Sequence, residues 1–378
     1  MCKKTISLLS LLIFPVMLFG QQKYFKYVNN GKYGIMDENL QIIIPARISE
    51  KIEVKDDKYV IGDSGIFYSI NQEDSKDKIL TIDDKIVYDF RSIPDFKKTV
   101  KSNYLNNDIF SIVIYKSNVF TPICFLYDVK NQKVYEVSKG KAIYVDGITN
   151  NSSDLIPLEN GSYFSLLTGK EVYKKNNRYY VYPFVNNRAV VGCYKNGKLT
   201  FQVIDSKNNL ILDNIEQTAM CFSENLLPVL LENGQSGYVD LDGKLIINCS
   251  FFLDYDNWYE TYGPKEYPVL HAYQHNGCAV VQKAKDDWAI VPQNEKAINI
   301  SQNFQVNFEK FENNLLPVLD RKTNLYGFIN QKGKLEISCQ YEEVYGYNGK
   351  YWLVKQDNKD ALLSQNGEII FINDLKNR

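Results

Sequence analysis

One six-residue segment occurs twice in this chain with the same spelling. NLLPVL at 225–230 returns at 314–319, and GYVD at 237–240 returns as GFIN at 327–330. The offset is 89 residues at the start (225 to 314) and 90 further on (237 to 327), so the second copy is one residue longer between these two motifs. A match over two consecutive motifs in the same order indicates an internal repeat, which limits the chain to a repeat architecture.

Weaker copies of the same frame extend along most of the sequence. The position of Asp37, which ends an aliphatic segment before a polar turn, serves as a marker. Its predicted equivalents are residues 71, 128, 168, 205, 240, 292, 330 and 364. Most steps between them are about 35 residues, a length typical of repeat units. The steps from 71 to 128 and from 240 to 292 are longer, so each predicts an insertion or a decayed copy.

Each unit has the pattern of a small antiparallel meander. In the last complete copy, an aliphatic strand at 315–319 leads to a second strand at 326–330, and a Gly-bearing turn leads to a third strand at 335–338. Glycine and asparagine suit such turns because they tolerate positive φ. One unit cannot bury its apolar face alone, so neighbouring units must stack. The sequence predicts an all-β fold of tandem antiparallel β-meander repeats, closed as a propeller-like ring or open as a stack.

The motif order resembles that of the WG (KWG-type) β-repeat proteins. The Trp-Gly step of that family corresponds to Tyr33-Gly34 and Tyr326-Gly327, with partial matches at Trp288-Ala289 and Ser236-Gly237. Trp-Gly itself does not occur, so the resemblance is to a divergent member. It implies an all-β repeat fold, often in envelope-associated proteins, and implies little chemistry.

The glycine of this step is expected to have a structural role. Glycine inside a strand usually marks a bulge or a close approach of another part of the backbone. The aromatic residue before it would then point to the opposite face and cover the neighbouring unit. These residues are therefore interpreted as structural and not as parts of an active site.

The N-terminus has the pattern of a secretory signal. Lys3 and Lys4 precede an apolar run at 6–19, and Gly20 offers a small residue before a cleavage point at Gln21. The run is shorter than the ~20 residues that a spanning helix needs, so no integral membrane segment is expected after cleavage. We expect a signal peptide at 1–20, degenerate repeats at 21–200, and better-defined repeats at 201–378 with an insertion at about 251–275. The protein is then periplasmic, surface-bound or secreted.

Charge and cysteine content exclude several classes of function. Removing Lys3 and Lys4 leaves 42 of the 44 Lys and Arg residues against 45 Asp and Glu, a net charge of −3 that gives no footprint for nucleic acid. The mature chain keeps six cysteines without a C-x-x-C pair, and export leaves disulfides possible. Cys249 and Cys339 occupy the same position two units apart, about 20 Å by sheet spacing, so we expect no bond between them.

Motifs that carry catalysis are absent from the sequence. There is no G-x-S-x-G elbow, Walker A loop or G-x-G-x-x-G fingerprint, and no cofactor is expected. A metal site at the two histidines, His271 and His275, would need further ligands, for which Asp254, Asp256 and Glu260 are the nearest candidates. No H-E-x-x-H motif is present, so no metal is expected. Paired carboxylates remain possible among the 45 acidic residues.

The predicted insertion contains the candidate binding residues. Insertions into one repeat form a loop on one face, often the binding face, and aromatic residues with polar tips suit contacts with sugars or proteins. The candidates are Trp258, Tyr259, Tyr262, Tyr267 and Tyr273. The alternative is that these aromatics cap a neighbouring unit.

Two hypotheses of function follow. The first is an exported, non-catalytic repeat scaffold that binds a protein or a glycan at the bacterial cell envelope or exterior. The second is a glycan- or peptide-acting hydrolase with an unrecognised acidic active site. A deep pocket with two facing carboxylates would favour the hydrolase, and a broad aromatic surface would favour the scaffold.

Overall fold

The described residues form nine consecutive β-meanders. The computed structural model describes residues 24–49, 59–61, 67–69, 78–81, 85–92, 99–106, 108–115, 123–137, 154–251, 270, 274–275, 277–293, 295–308 and 311–375. The predicted signal peptide and the candidate aromatic loop lie outside these residues. Short helical segments occur in this part of the chain at Phe90–Ser92 and at α1 (Ile372–Leu375). The prediction of an all-β repeat fold is confirmed.

The strands follow one another along the chain without crossovers. Meander 1 holds β1 (Tyr24–Asn29), β2 (Lys32–Asp37) and β3 (Ile42–Ser49); meander 2 holds β4 (Tyr59–Ile61), β5 (Phe67–Ser69), β6 (Lys78–Thr81) and β7 (Ile86–Asp89); meander 3 holds β8 (Thr99–Asn106), β9 (Ile109–Tyr115), β10 (Ile123–Asp128) and β11 (Lys133–Val137). Meander 4 holds β12 (Leu155–Pro157), β13 (Tyr163–Ser165) and β14 (Lys170–Val172); meander 5 holds β15 (Arg178–Val181), β16 (Arg188–Lys195), β17 (Lys198–Asp205) and β18 (Leu210–Thr218); meander 6 holds β19 (Leu227–Leu231), β20 (Ser236–Val239) and β21 (Leu245–Asn248). Meander 7 holds β22 (Gln274–His275), β23 (Cys278–Ala284), β24 (Asp287–Pro292) and β25 (Ile298–Asn299); meander 8 holds β26 (Phe304–Gln305), β27 (Leu316–Asp320), β28 (Tyr326–Ile329) and β29 (Leu335–Tyr341); meander 9 holds β30 (Glu343–Tyr347), β31 (Trp352–Gln356), β32 (Lys359–Leu363) and β33 (Ile369–Phe371).

Strand pairing is antiparallel within every meander. Meanders 5 and 6 also share one seven-stranded sheet, because the end of β18 pairs with β19. The predicted boundary between the degenerate repeats (21–200) and the better-defined repeats (201–378) falls inside β17. Both regions therefore contribute to this seven-stranded sheet.

Meanders 2 to 9 pack against one another in chain order, and meander 1 packs against meander 9. In the described part of the chain, apolar clusters join each meander from 2 to 9 to the next one. A further cluster packs Phe25 and Tyr27 of meander 1 against Leu353 and Leu362 of meander 9. The side-chain amide of Asn348 also donates to the carbonyl of Lys26, at 2.7 Å. Meander 1 therefore lies beside meander 9, which favours a propeller-like ring over an open stack.

The marker position forms the same turn in several meanders. One side-chain oxygen accepts backbone N–H groups two and four residues further on, and the residue three positions on has positive φ, as in a turn with a bulge. The residues that do so are Asp37, Asp205, Asp240 and Asn330. The repeat therefore keeps Asp or Asn at this position to satisfy its own backbone.

Two of the weaker markers differ from the turn residues that the structure shows. In meander 2, the hydroxyl of Thr81 at the end of the third strand accepts the N–H of Lys85 at 3.2 Å, and the predicted marker Asn71 lies outside the described residues. Phe67–Ser69 is the second strand of that meander and only resembles the strand before the turn. In meander 4, the turn begins at Ser165, whose carbonyl accepts the N–H of Gly169, and not at Thr168. With Thr81 as the marker, the first two steps (37 to 81 and 81 to 128) become nearly equal.

The glycine of the Trp-Gly-like step allows a close approach of the third strand. A Cβ on Gly327 would lie 2.6 Å from the Cys339 sulfur and 2.8 Å from the Ile337 carbonyl oxygen. At Gly237, φ is +148° and a Cβ would lie 1.9 Å from the Ile247 carbonyl oxygen. The pairing of β20 with β21 and of β28 with β29 shifts in register close to these glycines. The predicted structural role of this glycine is confirmed.

The six cysteines form no disulfide. Cys249 and Cys339 are unbonded to each other, as the repeat register predicts. Burial raises the pKa of the Cys249 thiol to about 12 and that of Cys221 to about 11. Both side chains therefore stay protonated at neutral pH and pack as small apolar groups.

Candidate functional site

The predicted aromatic binding loop cannot be placed in the fold. Its five candidates, Trp258, Tyr259, Tyr262, Tyr267 and Tyr273, lie outside the described residues, as does His271. His275 is described only as backbone of β22. These candidates remain predictions.

Two residues at or beside the loop are held against meanders 5 and 6. Before it, the ring of Phe251 packs edge-on against Tyr238, with centroids 5.6 Å apart. Within it, the backbone N–H of the buried Leu270, between the candidates Tyr267 and Tyr273, donates to the carbonyl of Thr218 at 3.0 Å. Trp288, in the Trp-Ala version of the motif, is half-buried, and Ala289 at the glycine position is fully buried.

Meander 5 contains a polar network that crosses its four strands. It starts at Arg178, whose guanidinium is buried and donates to the carbonyl of Tyr173 and to Oδ1 of Asn208, both at 3.1 Å. Arg178 forms no ion pair with the described residues, and its Nε has no acceptor there. A buried guanidinium without a carboxylate is unusual, because desolvating a charge is costly.

Two further hydrogen bonds continue the network to a carboxylate at the surface. The Cys193 thiol beside Arg178 donates to Oε1 of Gln202 at 3.5 Å, and Nε2 of Gln202 donates to Oδ1 of Asp213 at 3.0 Å. Burial raises the pKa of Cys193, although the Arg178 guanidinium opposes this shift. Cys193 is therefore a neutral thiol, and Asp213 lies at the outer end of the network.

Asp213 is part of the wall of an open pocket between meanders 5 and 6. The pocket has a volume of about 470 Å³, within the usual range for small-ligand sites. Its walls come from the end of meander 5 and from the β19–β20 turn, and are formed by Asp213, Asn214, Leu231, Glu232 and Asn233. We call this the meander 5–6 pocket. Its lining is rich in hydrogen-bonding oxygens and contains one aliphatic side chain.

Sequence reasoning did not identify this pocket. Its residues lie on β18, at the end of β19 and in the turn after it, they repeat no motif, and its two walls are separated in the sequence. One signal was present in the sequence: Arg178 stands at the start of a strand in the repeat region, where the neighbouring core residues are apolar.

The described residues contain neither a cluster of metal ligands nor a membrane-spanning helix. Within the part of the chain that the structure describes, no three His, Cys, Asp or Glu side chains converge as metal ligands. No helix in the same part has the length and apolarity to cross a membrane.

Comparison with known families gives a match over one segment of the chain. The family model of the WG containing repeat matches residues 326–359, from the Tyr326-Gly327 step through β31 to the start of β32. The match begins at the aromatic-Gly step on which the sequence resemblance rested, and it spans the second half of meander 8 and the first part of meander 9.

Comparison with curated proteins gives no match. Among solved structures, the chain is similar to BamB from Moraxella catarrhalis (10% identity, 81% of this chain and 93% of that one, TM-score 0.39). It is also similar to the β-propeller domain of the Trilobed protease from Pyrococcus furiosus (12%, 73% and 96%, TM-score 0.34) and to oligopeptidase B from Leishmania major (7%, 93% and 48%, TM-score 0.40). These TM-scores are too low to transfer geometry or function, and the fold rests on the strand pairing described above.

Proposed function

We propose that this protein is an exported, non-catalytic repeat scaffold that binds a protein or a glycan at the bacterial cell envelope or exterior. The observation that supports this best is the array of packed meanders, with meander 1 beside meander 9, which holds the surface turns in a fixed arrangement. A preorganised surface binds at a lower entropic cost than a flexible one. Export is supported by Lys3, Lys4 and the apolar run at 6–19.

The marker carboxylates favour a scaffold over an enzyme. Asp37, Asp205 and Asp240 each accept two backbone N–H groups of their own turn. These recurring acids therefore stabilise the fold. The hydrolase remains the second candidate because Asp213 and Glu232 line the same pocket.

A combined fractionation and binding experiment tests this proposal. The full chain is expressed in a bacterium, and we expect a product that begins at Gln21 outside the cytoplasm. The purified protein should then bind an immobilised polysaccharide, or crosslink to a specific protein of the envelope, without releasing reducing ends or peptides. Retention of the N-terminus in the cytoplasm would contradict export. Turnover that is lost in Glu232→Gln would establish the hydrolase instead.

A further inference from the structure

The meander 5–6 pocket has walls that are fixed by hydrogen bonds. Asp213 accepts from Nε2 of Gln202 at 3.0 Å and from its neighbouring backbone N–H at 2.7 Å. The backbone N–H of Glu232 donates to the carbonyl of Asn214 at 3.0 Å, which joins the two walls. Asn233 exchanges two hydrogen bonds with Gln235, both at 3.0 Å. The pocket is therefore preorganised, which favours binding.

Glu232 provides the open acceptor of the pocket. Its carboxylate has no hydrogen-bond or ion-pair partner within the described residues, and it is exposed. A carboxylate accepts several hydrogen bonds and donates none. The pocket therefore suits a ligand that presents hydroxyl or N–H donors.

The carboxamides of the pocket favour a hydroxyl-bearing ligand over an ammonium group. Nζ of Lys195 donates to Oδ1 of Asn214 at 3.2 Å and partly offsets the two carboxylates of the pocket wall. An ammonium group has no acceptor for the N–H groups of the Asn214 and Asn233 carboxamides. Hydroxyl groups donate to carboxylates, accept from carboxamides and carry no charge. Leu231 adds an aliphatic surface for the C–H face of a sugar ring.

From this combination we propose that the meander 5–6 pocket is a binding subsite for a neutral oligosaccharide. Asp213 and Glu232 accept from sugar hydroxyls, the carboxamides of Asn214 and Asn233 complete the polar contacts, and Leu231 packs on the ring. The inference rests on the proposed scaffold function and selects the glycan from its two partner classes. It involves no bond breaking.

The test uses binding of defined sugars to the mature protein. We first expose it to an array of neutral oligosaccharides and then titrate the strongest binder by calorimetry. Glu232→Ala should weaken that binding about tenfold, because a charged acceptor contributes roughly one such factor. Glu38→Ala, which removes an exposed turn carboxylate in meander 1, should leave the affinity unchanged. Glu232→Gln serves as a second variant, and circular dichroism checks the fold of all three.

The outcomes separate this inference from the proposed function. If a sugar binds and neither Glu232 variant weakens it, the pocket is the wrong site and the scaffold function stands. If no sugar on the array binds but a protein partner is found, the inference is overturned and the scaffold function again stands. Binding of a lysine-rich peptide that Glu232→Ala abolishes would also overturn it, in favour of a cationic partner. If neither sugar nor protein binds, both proposals fail.

Discussion

Replacing Gly237 with alanine is expected to destabilise the protein by about 3 kcal/mol or more. The new Cβ would lie 1.9 Å from the Ile247 carbonyl oxygen, which belongs to the backbone of the neighbouring strand and cannot rotate away. The φ of +148° is also a conformation that residues with a side chain rarely adopt. Such a loss is a large part of the 5–15 kcal/mol that stabilises a typical domain. Equilibrium unfolding in urea measures it as a lower midpoint.

Gly234→Ala is the matched control in the same meander. Gly234 also has positive φ, at +83°, but nothing lies within 4 Å of the Cβ that alanine would add. We expect a loss of only about 1–2 kcal/mol from the backbone conformation. Equal losses for the two variants would show that the close approach at Gly237 does not exist, and that the aromatic-Gly step lacks its structural role.

Trp352→Ala is expected to cost about 3–5 kcal/mol. Trp352 is only 2% exposed and lies between meanders 8 and 9, where its ring centroid is 5.2 Å from that of Phe328 and 5.3 Å from that of Tyr347. Truncation removes this aromatic contact and leaves a cavity at the interface between two units. Thermal and urea unfolding of the variant should both shift to a lower midpoint.

Trp352→Phe separates packing from hydrogen bonding at the same position. The indole Nε1 is buried and has no acceptor among the described residues, so phenylalanine removes a donor that stabilises nothing. We expect this variant to lose less than half of what Trp352→Ala loses. A larger loss for phenylalanine than for alanine would contradict the described packing of the interface.

The repeat could be predicted from the sequence because its turns depend on local chemistry. The two NLLPVL copies become β19 and β27 in the same register, each followed by a strand that contains the repeat glycine, Gly237 or Gly327. Asp240 and Asn330 were identified as turn markers because their side chains bond to their own backbone. Such short-range contacts leave a periodic signal in the sequence.

The unit in meander 2 could not be placed from the sequence because a different side chain forms its turn. The Thr81 hydroxyl accepts the bond that a carboxylate or carboxamide accepts elsewhere. Asn71, two residues after the short strand β5, looked like the usual marker. The residue types therefore indicated β5, and not β6, as the strand that precedes the turn.

Ring closure and the pocket depend on contacts between distant parts of the chain. The Asn348–Lys26 bond spans 322 positions, and no local pattern encodes it. The Arg178 network reaches Asp213 through single side chains on successive strands, so it has no period either. The aromatic loop at 258–273 stays a prediction, and its binding role is separate from that of the pocket.

The central claim is that the nine meanders close into a ring, and crosslinking between Lys350 and Glu38 tests it most directly. Nζ of Lys350 donates to the backbone carbonyl of Glu38 at 3.3 Å, whereas an open stack would separate the first and last meanders by about 80 Å at ~10 Å per step. After zero-length amine–carboxyl coupling, monomeric protein is isolated and its peptides are mapped by mass spectrometry.

Two local ion pairs control for the chemistry of this coupling. The pairs Lys198–Glu216, at 3.4 Å, and Lys355–Glu343, at 3.6 Å, should crosslink whether the array is open or closed. A closed ring predicts a link between the peptides that contain Lys350 and Glu38 in the monomer, together with both control links. Recovery of the control links without the Lys350–Glu38 link would contradict closure and establish an open stack.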